Sequence, residues 1–207
     1  MSARDSAAYW NARWAEAAEA PFGEAPNEFL RMVLARSDVS VRRALMIADG
    51  DGRNGAWLAA QGARVSAIDI SEEGVRRALA RDRAMGVEVA REVADVRAWR
   101  PAPGRAWDFC AILFLQGPAE QRRAAVRLGA RALAPGGWLA LEGFCVGDAP
   151  GAPGPDRPSH RYGPEEVAGW LGDLVIEELM SGDVRLKEGR RHSGVARILR
   201  LLARRPA

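Results

Sequence analysis

Five short apolar runs lie between residues 44 and 144, at 44–48 (ALMIA), 64–70 (RVSAIDI), 87–93, 109–115 and 138–144. Most are separated by stretches of helical periodicity, and this arrangement constrains the fold more than any other feature. Runs that are apolar throughout, rather than alternating, suit strands buried on both faces. Strands separated by helices imply right-handed crossovers and a parallel sheet with helices on both sides. Two further runs, at 174–185 and 195–204, read as strands joined by KEGRRHSG. The expectation is an α/β chain with a doubly wound, seven-stranded, mostly parallel sheet that ends in a C-terminal antiparallel hairpin.

Helix signals fill the gaps. Residues 6–19 place Tyr9/Arg13 and Trp10/Trp14 at helical spacing, and Asn27 caps a helix whose Phe29, Leu30, Val33 and Leu34 share a face. A helix at 56–61 closes at Gly62. Ser71 starts another, with Glu72 and Glu73 in the first turn where the helix dipole favours them, and Gly86 ends it. Residues 119–133 form a helix stopped by Pro135-Gly136-Gly137, and Pro164 opens a short one running to Leu171. One domain over 1–207 is expected: an N-terminal helical cap (1–43), a ligand-binding core (44–146), a Pro/Gly-rich loop (147–163), then a helix and the last strands (164–207).

Composition narrows the function. The pI is about 9.4, yet the formal net charge is only +3. Lys187 is the sole lysine, and the arginines are interleaved with acids rather than gathered. A nucleic-acid surface needs a concentrated basic patch, so no such partner is expected. No apolar run approaches the roughly 20 residues that span a bilayer. The N-terminus has no basic segment followed by an apolar core, so a cytoplasmic protein is expected. Cys110 and Cys145 sit in apolar runs and read as buried thiols. No Asp, His or Cys spacing suggests a metal site. A homodimer stays open.

The most informative stretch is IADGDGRNG (47–55), three glycines at G-x-G-x-x-G spacing between a strand and a helix. Ligands of open parallel sheets sit beyond the carboxyl ends of the strands, where strand order reverses. Glycines at 50 and 52 permit positive φ and close backbone approach, with a helix N-terminus behind them. Asp69 ends the second strand, where it can accept from both hydroxyls of a ribose. A dinucleotide and S-adenosylmethionine both satisfy this pattern. Three features favour S-adenosylmethionine. Residues 1–43, rich in Trp and Tyr, precede the first strand. Neither a Tyr-x-x-x-Lys pair nor a second substrate domain is present. A second acid, Asp95, follows the third strand, where it can meet an adenine amino group.

The chain resembles the class I S-adenosylmethionine-dependent methyltransferases, and more narrowly the small bacterial enzymes related to tellurite-resistance and thiopurine methyltransferases. The resemblance rests on FGEAPNEFL (22–30), GDGRN with WLA (50–59), VSAIDIS (65–71), LAPGGWLALEGF (133–144) and EGRRHSG (188–194). It implies that Gly50, Gly52 and Asn54 line the cofactor, that Asp69 holds its ribose, and that Ile70 packs on the adenine. Asp95 and Val96 would meet the adenine edge, and Leu113 to Gln116 would face the transferred methyl group. Trp10 and Trp14 offer aromatic faces to a sulfonium, and Phe22 and Gly23 fit a lid. Gln116, His192 and His160 are the candidate catalytic side chains. Glu142 is either a cleft carboxylate or a solvated one, and Arg190 and Arg191 either attract an anion or form a solvated turn.

The chain departs from the family pattern at Met46, where relatives carry Asp, at Ala48, where they carry Gly, and at Gln116, where a histidine is common. The segment LQGPAEQ after the fourth strand lacks the D/N-P-P-aromatic motif of base- and amide-directed enzymes. Methyl transfer to a small acceptor, such as a thiol, chalcogen anion or similar soft nucleophile, is therefore expected. A non-catalytic S-adenosylmethionine-binding protein and an NAD(P)-dependent oxidoreductase are the competing readings.

Overall fold

The computed structural model describes residues 6–17, 20–147 and 151–207. In chain order its elements are α1 (Ala7–Ala15), α2 (Glu28–Leu34), β1 (Arg43–Ile47), α3 (Arg53–Ala60), β2 (Arg64–Asp69), α4 (Glu72–Met85) and β3 (Val89–Val93). There follow β4 (Trp107–Leu113), α5 (Ala119–Ala132), β5 (Leu133–Phe144), α6 (Pro164–Ala168), β6 (Val175–Glu188) and β7 (His192–Arg204). The strands form one seven-stranded sheet in the order β3-β2-β1-β4-β5-β7-β6. Strands β1 to β5 pair in parallel, and β7 runs antiparallel to both β5 and β6. This is the expected architecture.

Alternation along each central strand divides the core in two. Leu45, Ile47, Cys110, Ile112, Leu139 and Leu141 face α5 and pack with its Ala125, Val126 and Leu128. Ala44, Met46, Phe109, Ala111, Trp138 and Ala140 face the other way and pack on Phe29, Leu30 and Val33 of α2 and Leu58 of α3. Burial on both faces is what continuous apolar runs require. The capping signals work as expected. The Asn27 side chain accepts from Leu30 N at 2.9 Å and that of Ser71 from Gly74 N at 3.0 Å. Gly86 closes α4 in the left-handed region. Cys110 and Cys145 are both buried.

Several boundaries differ from the sequence reading. α3 begins at Arg53, not 56, because Gly52 serves as its N-cap with φ of 80°. The Pro-Gly-Gly stretch does not delay β5 until Trp138. The strand starts at Leu133, paired with Trp107, then shifts register through Gly136 (φ 76°) before Phe109 meets Trp138. The hairpin turn spans only residues 189–191, since Lys187 pairs with Ser193 and Glu188 with His192. The Pro/Gly loop contains a 3-10 turn at Pro158–His160. Residues 18 and 19 of the expected first helix, and 148–150 of that loop, lie outside the described residues. No helix among the described residues is long and apolar enough to cross a membrane.

Strand order reverses between β1 and β4, which are neighbours although β2 and β3 intervene in sequence. The crevice at their carboxyl ends is where a ligand of such a sheet sits.

Candidate functional site

A cavity with about 790 Å³ of empty space, including its open mouth, lies beyond the carboxyl ends of β1, β2 and β4. The exits of β1 and β4 are both conformationally costly. Ala48 (φ 60°) and Phe114 (φ 56°) are the two non-glycine residues with positive φ among the described residues, and both line the cavity. Left-handed backbone in a residue with a Cβ costs about 1–2 kcal/mol. Such strain concentrates where a site dictates the backbone. At 114 it brings the phenylalanine ring to 4.2 Å from that of His192.

The glycine turn is held from several sides. Gly50 (φ 55°) lies under Trp14, whose Cζ2 would sit 2.7 Å from a Cβ at position 50. Asp49 lines the cavity. Its carboxylate accepts from Gly55 N (3.2 Å) and from Arg91 Nη1 (2.8 Å). Asp51 pairs with Arg81 at 2.9 Å. Met46, by contrast, is 2% exposed within the apolar cluster under α2 and α3.

Asp69 closes the far side. Its two carboxylate oxygens accept separately from Gly50 N and Ser71 N, each at 2.8 Å. This fixes the group's orientation and leaves lone pairs for further donors. Burial, reinforced by the charges of Asp49 and Asp51, raises its pKa to about 6 despite the two amide bonds.

The roof joins both ends of the chain. Trp10 and Trp14 of α1 line the cavity together with Phe22. The rings of Trp14 and Phe22 meet edge to face at 5.4 Å, and Phe22 lies 4.6 Å from His192. His192 opens β7, is 2% exposed, and lines the cavity amid Phe22, Phe114 and Phe144. Neither ring nitrogen has a hydrogen-bond partner. Burial first, then the nearby charges of Arg53 and Arg13, lowers its pKa to about 3, so the imidazole is neutral at physiological pH.

The hairpin and the FGEAPNEFL segment lock together around this ring. Glu188 forms an ion pair with Arg53 and accepts from Glu28 N at 2.9 Å and Asn27 Nδ2 at 3.1 Å. Arg191 N donates to Pro21 O at 3.0 Å. Asn54 Oδ1 accepts from Asn27 N at 2.8 Å.

Of the residues singled out from sequence, Trp10, Gly50, Asn54, Asp69, Ile70, Val96, Leu113, Gln116 and His192 all line the one cavity. Gly52 does not. Its glycine is required by packing, since a Cβ there would fall 2.6 Å from Ala78 Cβ and Arg91 Nη2. The Asp95 carboxylate is turned onto Arg97, accepting from its backbone N (2.9 Å) and its guanidinium, and this hydrogen bonding lowers its pKa. Ala94 and Val96, on either side, face the cavity instead.

His160 lies elsewhere. It is 4% exposed in the 3-10 turn, which buried Arg122 anchors by donating to Ser159 O (3.0 Å) and covering the Tyr162 ring at 4.9 Å. Glu142 is neither a cleft nor a solvated carboxylate. It is 1% exposed, accepts from Arg200 Nε at 2.7 Å and from Asn27 Nδ2, and burial raises its pKa. Arg190 is exposed in the hairpin turn. Sequence reasoning missed Arg53, Gln121 and Arg91, the partner of Asp49 in a buried pair. The pair joins α4, β3 and the glycine turn, and no local pattern announces it.

Residues 44–137 match a family model described as a methyltransferase domain. No curated protein matches the sequence significantly. Among solved structures, the fold is similar to that of an S-adenosylmethionine-dependent methyltransferase from Methanosarcina mazei (TM-score 0.68, 18% identity, covering 88% of this chain and 99% of that one). It is similar also to the N-methyltransferase NodS from Bradyrhizobium japonicum in complex with S-adenosyl-l-homocysteine (TM-score 0.66, 21% identity, 96% and 99%). TehB from Haemophilus influenzae is a third (TM-score 0.67, 16% identity, 95% and 66%). At these identities the likeness is one of fold, and it does not assign the chain to the TehB branch.

Residues 44–137 thus form a methyltransferase domain within a chain that has the class I methyltransferase fold, and S-adenosylmethionine is the cofactor that such a domain implies. The site fits that molecule. The amide-anchored carboxylate of Asp69 suits a diol, and the aromatic side chains of Trp10, Trp14 and Phe22 suit a sulfonium.

Proposed function

We propose that the enzyme methylates a small acceptor that is already nucleophilic near neutral pH, a thiol or a chalcogen anion. The observation that carries this reading is His192, a buried and neutral imidazole with two unpartnered nitrogens in a ring of phenylalanines. A group whose conjugate acid has a pKa of about 3 hydrogen-bonds and positions well but is a poor base for a hydroxyl or an ammonium. An acceptor bound beside it must bring its own reactivity.

In this reading Asp69 takes the ribose hydroxyls, Ile70 and Val96 flank the adenine, and Gly50 and Asn54 border the rest of the cofactor. S-adenosylmethionine supplies an electrophilic methyl group on a sulfonium. Trp10, Trp14 and Phe22 exclude water above it and present aromatic faces to positive charge. Leu113, Phe114 and Gln116 shape the acceptor side, and His192 orients the nucleophile. Alignment supplies most of what such a displacement needs. The acceptor's proton, where there is one, leaves to solvent.

The test is S-adenosylhomocysteine formation, followed by mass spectrometry across alkyl thiols, aryl thiols, hydrogen selenide, phenols and primary amines. Thiols and selenide should react, with rates that rise with pH through the acceptor's own pKa. Turnover of phenols or amines without thiols would refute the reading. His192→Phe should raise KM for the acceptor more than it lowers kcat.

A further inference from the structure

One wall of the cavity is built by the turn from β4 into α5. Phe114, Leu115 and Gln116 line it before the turn, and Gln121, in the first turn of α5, lines it after. Gln121 is 3% exposed, and its Oε1 is buried with no hydrogen-bond partner. The turn is shaped to admit this side chain, since a Cβ at Gly117 would fall 2.1 Å from that oxygen. The next residue, buried Arg122, fixes the turn by donating from Nε to Gly117 O at 3.1 Å.

An amide placed in this way lowers stability, because it has left water without regaining a partner. A methionine would fill the same space without that penalty. Among the described residues the other buried amide side chains, Asn27 and Asn54, are both bonded into the fold. The surroundings of Gln121 carry no charge. The charged residues lining the cavity, Asp49, Asp51, Arg53 and Asp69, belong to the glycine turn, the start of α3 and the end of β2. Arg53 is tied to Glu188 and to Ala25 O at 2.8 Å. The wall after β4 thus offers apolar side chains and amides, and His192 adds a neutral imidazole.

We infer that Gln121 is a specificity-determining residue of the acceptor pocket, and that its amide hydrogen-bonds an uncharged substituent of the hydroxyl type, carried by the acceptor apart from its nucleophilic atom. Phe22 and Phe114 give the body of such a molecule an aromatic surface to lie against. Discrimination comes from the orphaned amide. An acceptor with a hydroxyl group satisfies it, and one with a methyl group in the same place leaves it unpaired. A carboxylate there would bring a charge that nothing on this wall balances. The inference rests on the reading that a thiol or chalcogen anion is methylated beside His192, and specifies what else that molecule carries.

The test compares meta- and para-mercaptophenol with meta- and para-thiocresol, in which a methyl group of similar size replaces the hydroxyl. The readout is kcat/KM from S-adenosylhomocysteine formation. At least one mercaptophenol should be preferred over its thiocresol by about tenfold or more, as satisfying one buried amide implies. The corresponding mercaptobenzoates should be slower than either. Gln121→Met keeps the length of the side chain and removes the amide, so the preference ratio should fall to near unity. Native affinity for S-adenosylhomocysteine and a native thermal melt would show that this variant is folded with its cofactor site intact. No preference in the wild type, or a preference that survives Gln121→Met, overturns the inference and leaves the thiol reading standing. No turnover of any of these thiols refutes the thiol reading, and the inference falls with it.

Discussion

Asp69 gives the cofactor site a proton switch whose size follows from the structure. In the unfolded chain its carboxyl titrates near 3.8, and burial in the folded protein moves it to about 6. A raised pKa favours the protonated form. Asp69 therefore contributes stability that is fully present below about 3.8 and lost as pH rises through 6. The difference is about 3 kcal/mol on the scale of 1.36 kcal/mol per pKa unit. At neutral pH the protein holds a costly carboxylate at the exact place where a diol would bind. A ligand whose hydroxyls donate to that carboxylate binds its ionised form, so affinity should fall as pH drops below 6 and a proton should be released on binding. Linkage to one such group predicts S-adenosylmethionine about tenfold weaker at pH 5 than at pH 8. Asp69→Asn isolates this group. It keeps the shape, loses the charge-assisted bonds, and should weaken binding at pH 8 by about 30-fold or more, at roughly 1.5–3 kcal/mol per bond to a charged group. The assay is isothermal titration at several pH values in two buffers of different ionisation enthalpy. Equal affinity at pH 5 and 8, with no dependence on buffer, would refute the reasoning.

Two stability predictions follow from the backbone. Gly52→Ala should cost about 3 kcal/mol and lower Tm by roughly 6–12 °C, from left-handed strain together with overpacking against Ala78 and Arg91. Gly62→Ala, also at positive φ but with nothing within 4 Å, should cost only the strain, about 1 kcal/mol. Equal effects in thermal melts would mean that the packing contributes nothing. Ala48→Gly should raise stability slightly, by about 0.5 kcal/mol, as relief of the φ of 60° outweighs the added unfolded-state freedom; a clearly lower Tm would show that Ala48 packs better than its backbone suffers.

The sheet was legible in the sequence because burial on both faces writes itself as continuous apolar runs, and because Asn27, Ser71 and Gly86 mark helix ends with specific chemistry. The start of β5 was not. Pro135-Gly136-Gly137 reads as a stop, yet Gly136 N finds Arg205 O at 3.0 Å, from the far end of the chain, and the strand continues through an irregular pairing. In the site, residues attached to strand ends fell where the pattern put them, since topology alone carries Asp69, Leu113 and Gln116 to one crevice. The direction of a side chain was harder to foresee. Asp95 has the right address, but Arg97 two residues on captures its carboxylate. Glu142 lies on a matched segment, but Arg200 and Asn27 arrive from distant strands and helices to claim it. His160 follows a loop rich in proline and glycine, which resembles a lid until Arg122 pins its end behind β5.

The clamp between Glu188 and Asn27 joins positions 161 residues apart. Loop closure over that separation comes at an entropic cost before any contact returns it, so contacts of this kind form late in folding. The roof of the cavity, with Phe22 from one side of the clamp and His192 from the other, is therefore complete only when nearly the whole chain has been threaded into place. A nascent or truncated chain can own the glycine turn and Asp69 and still lack a closed chamber. Tight retention of the cofactor then works as a report on completed folding, and the ligand in turn stabilises the latest-formed contacts of the molecule.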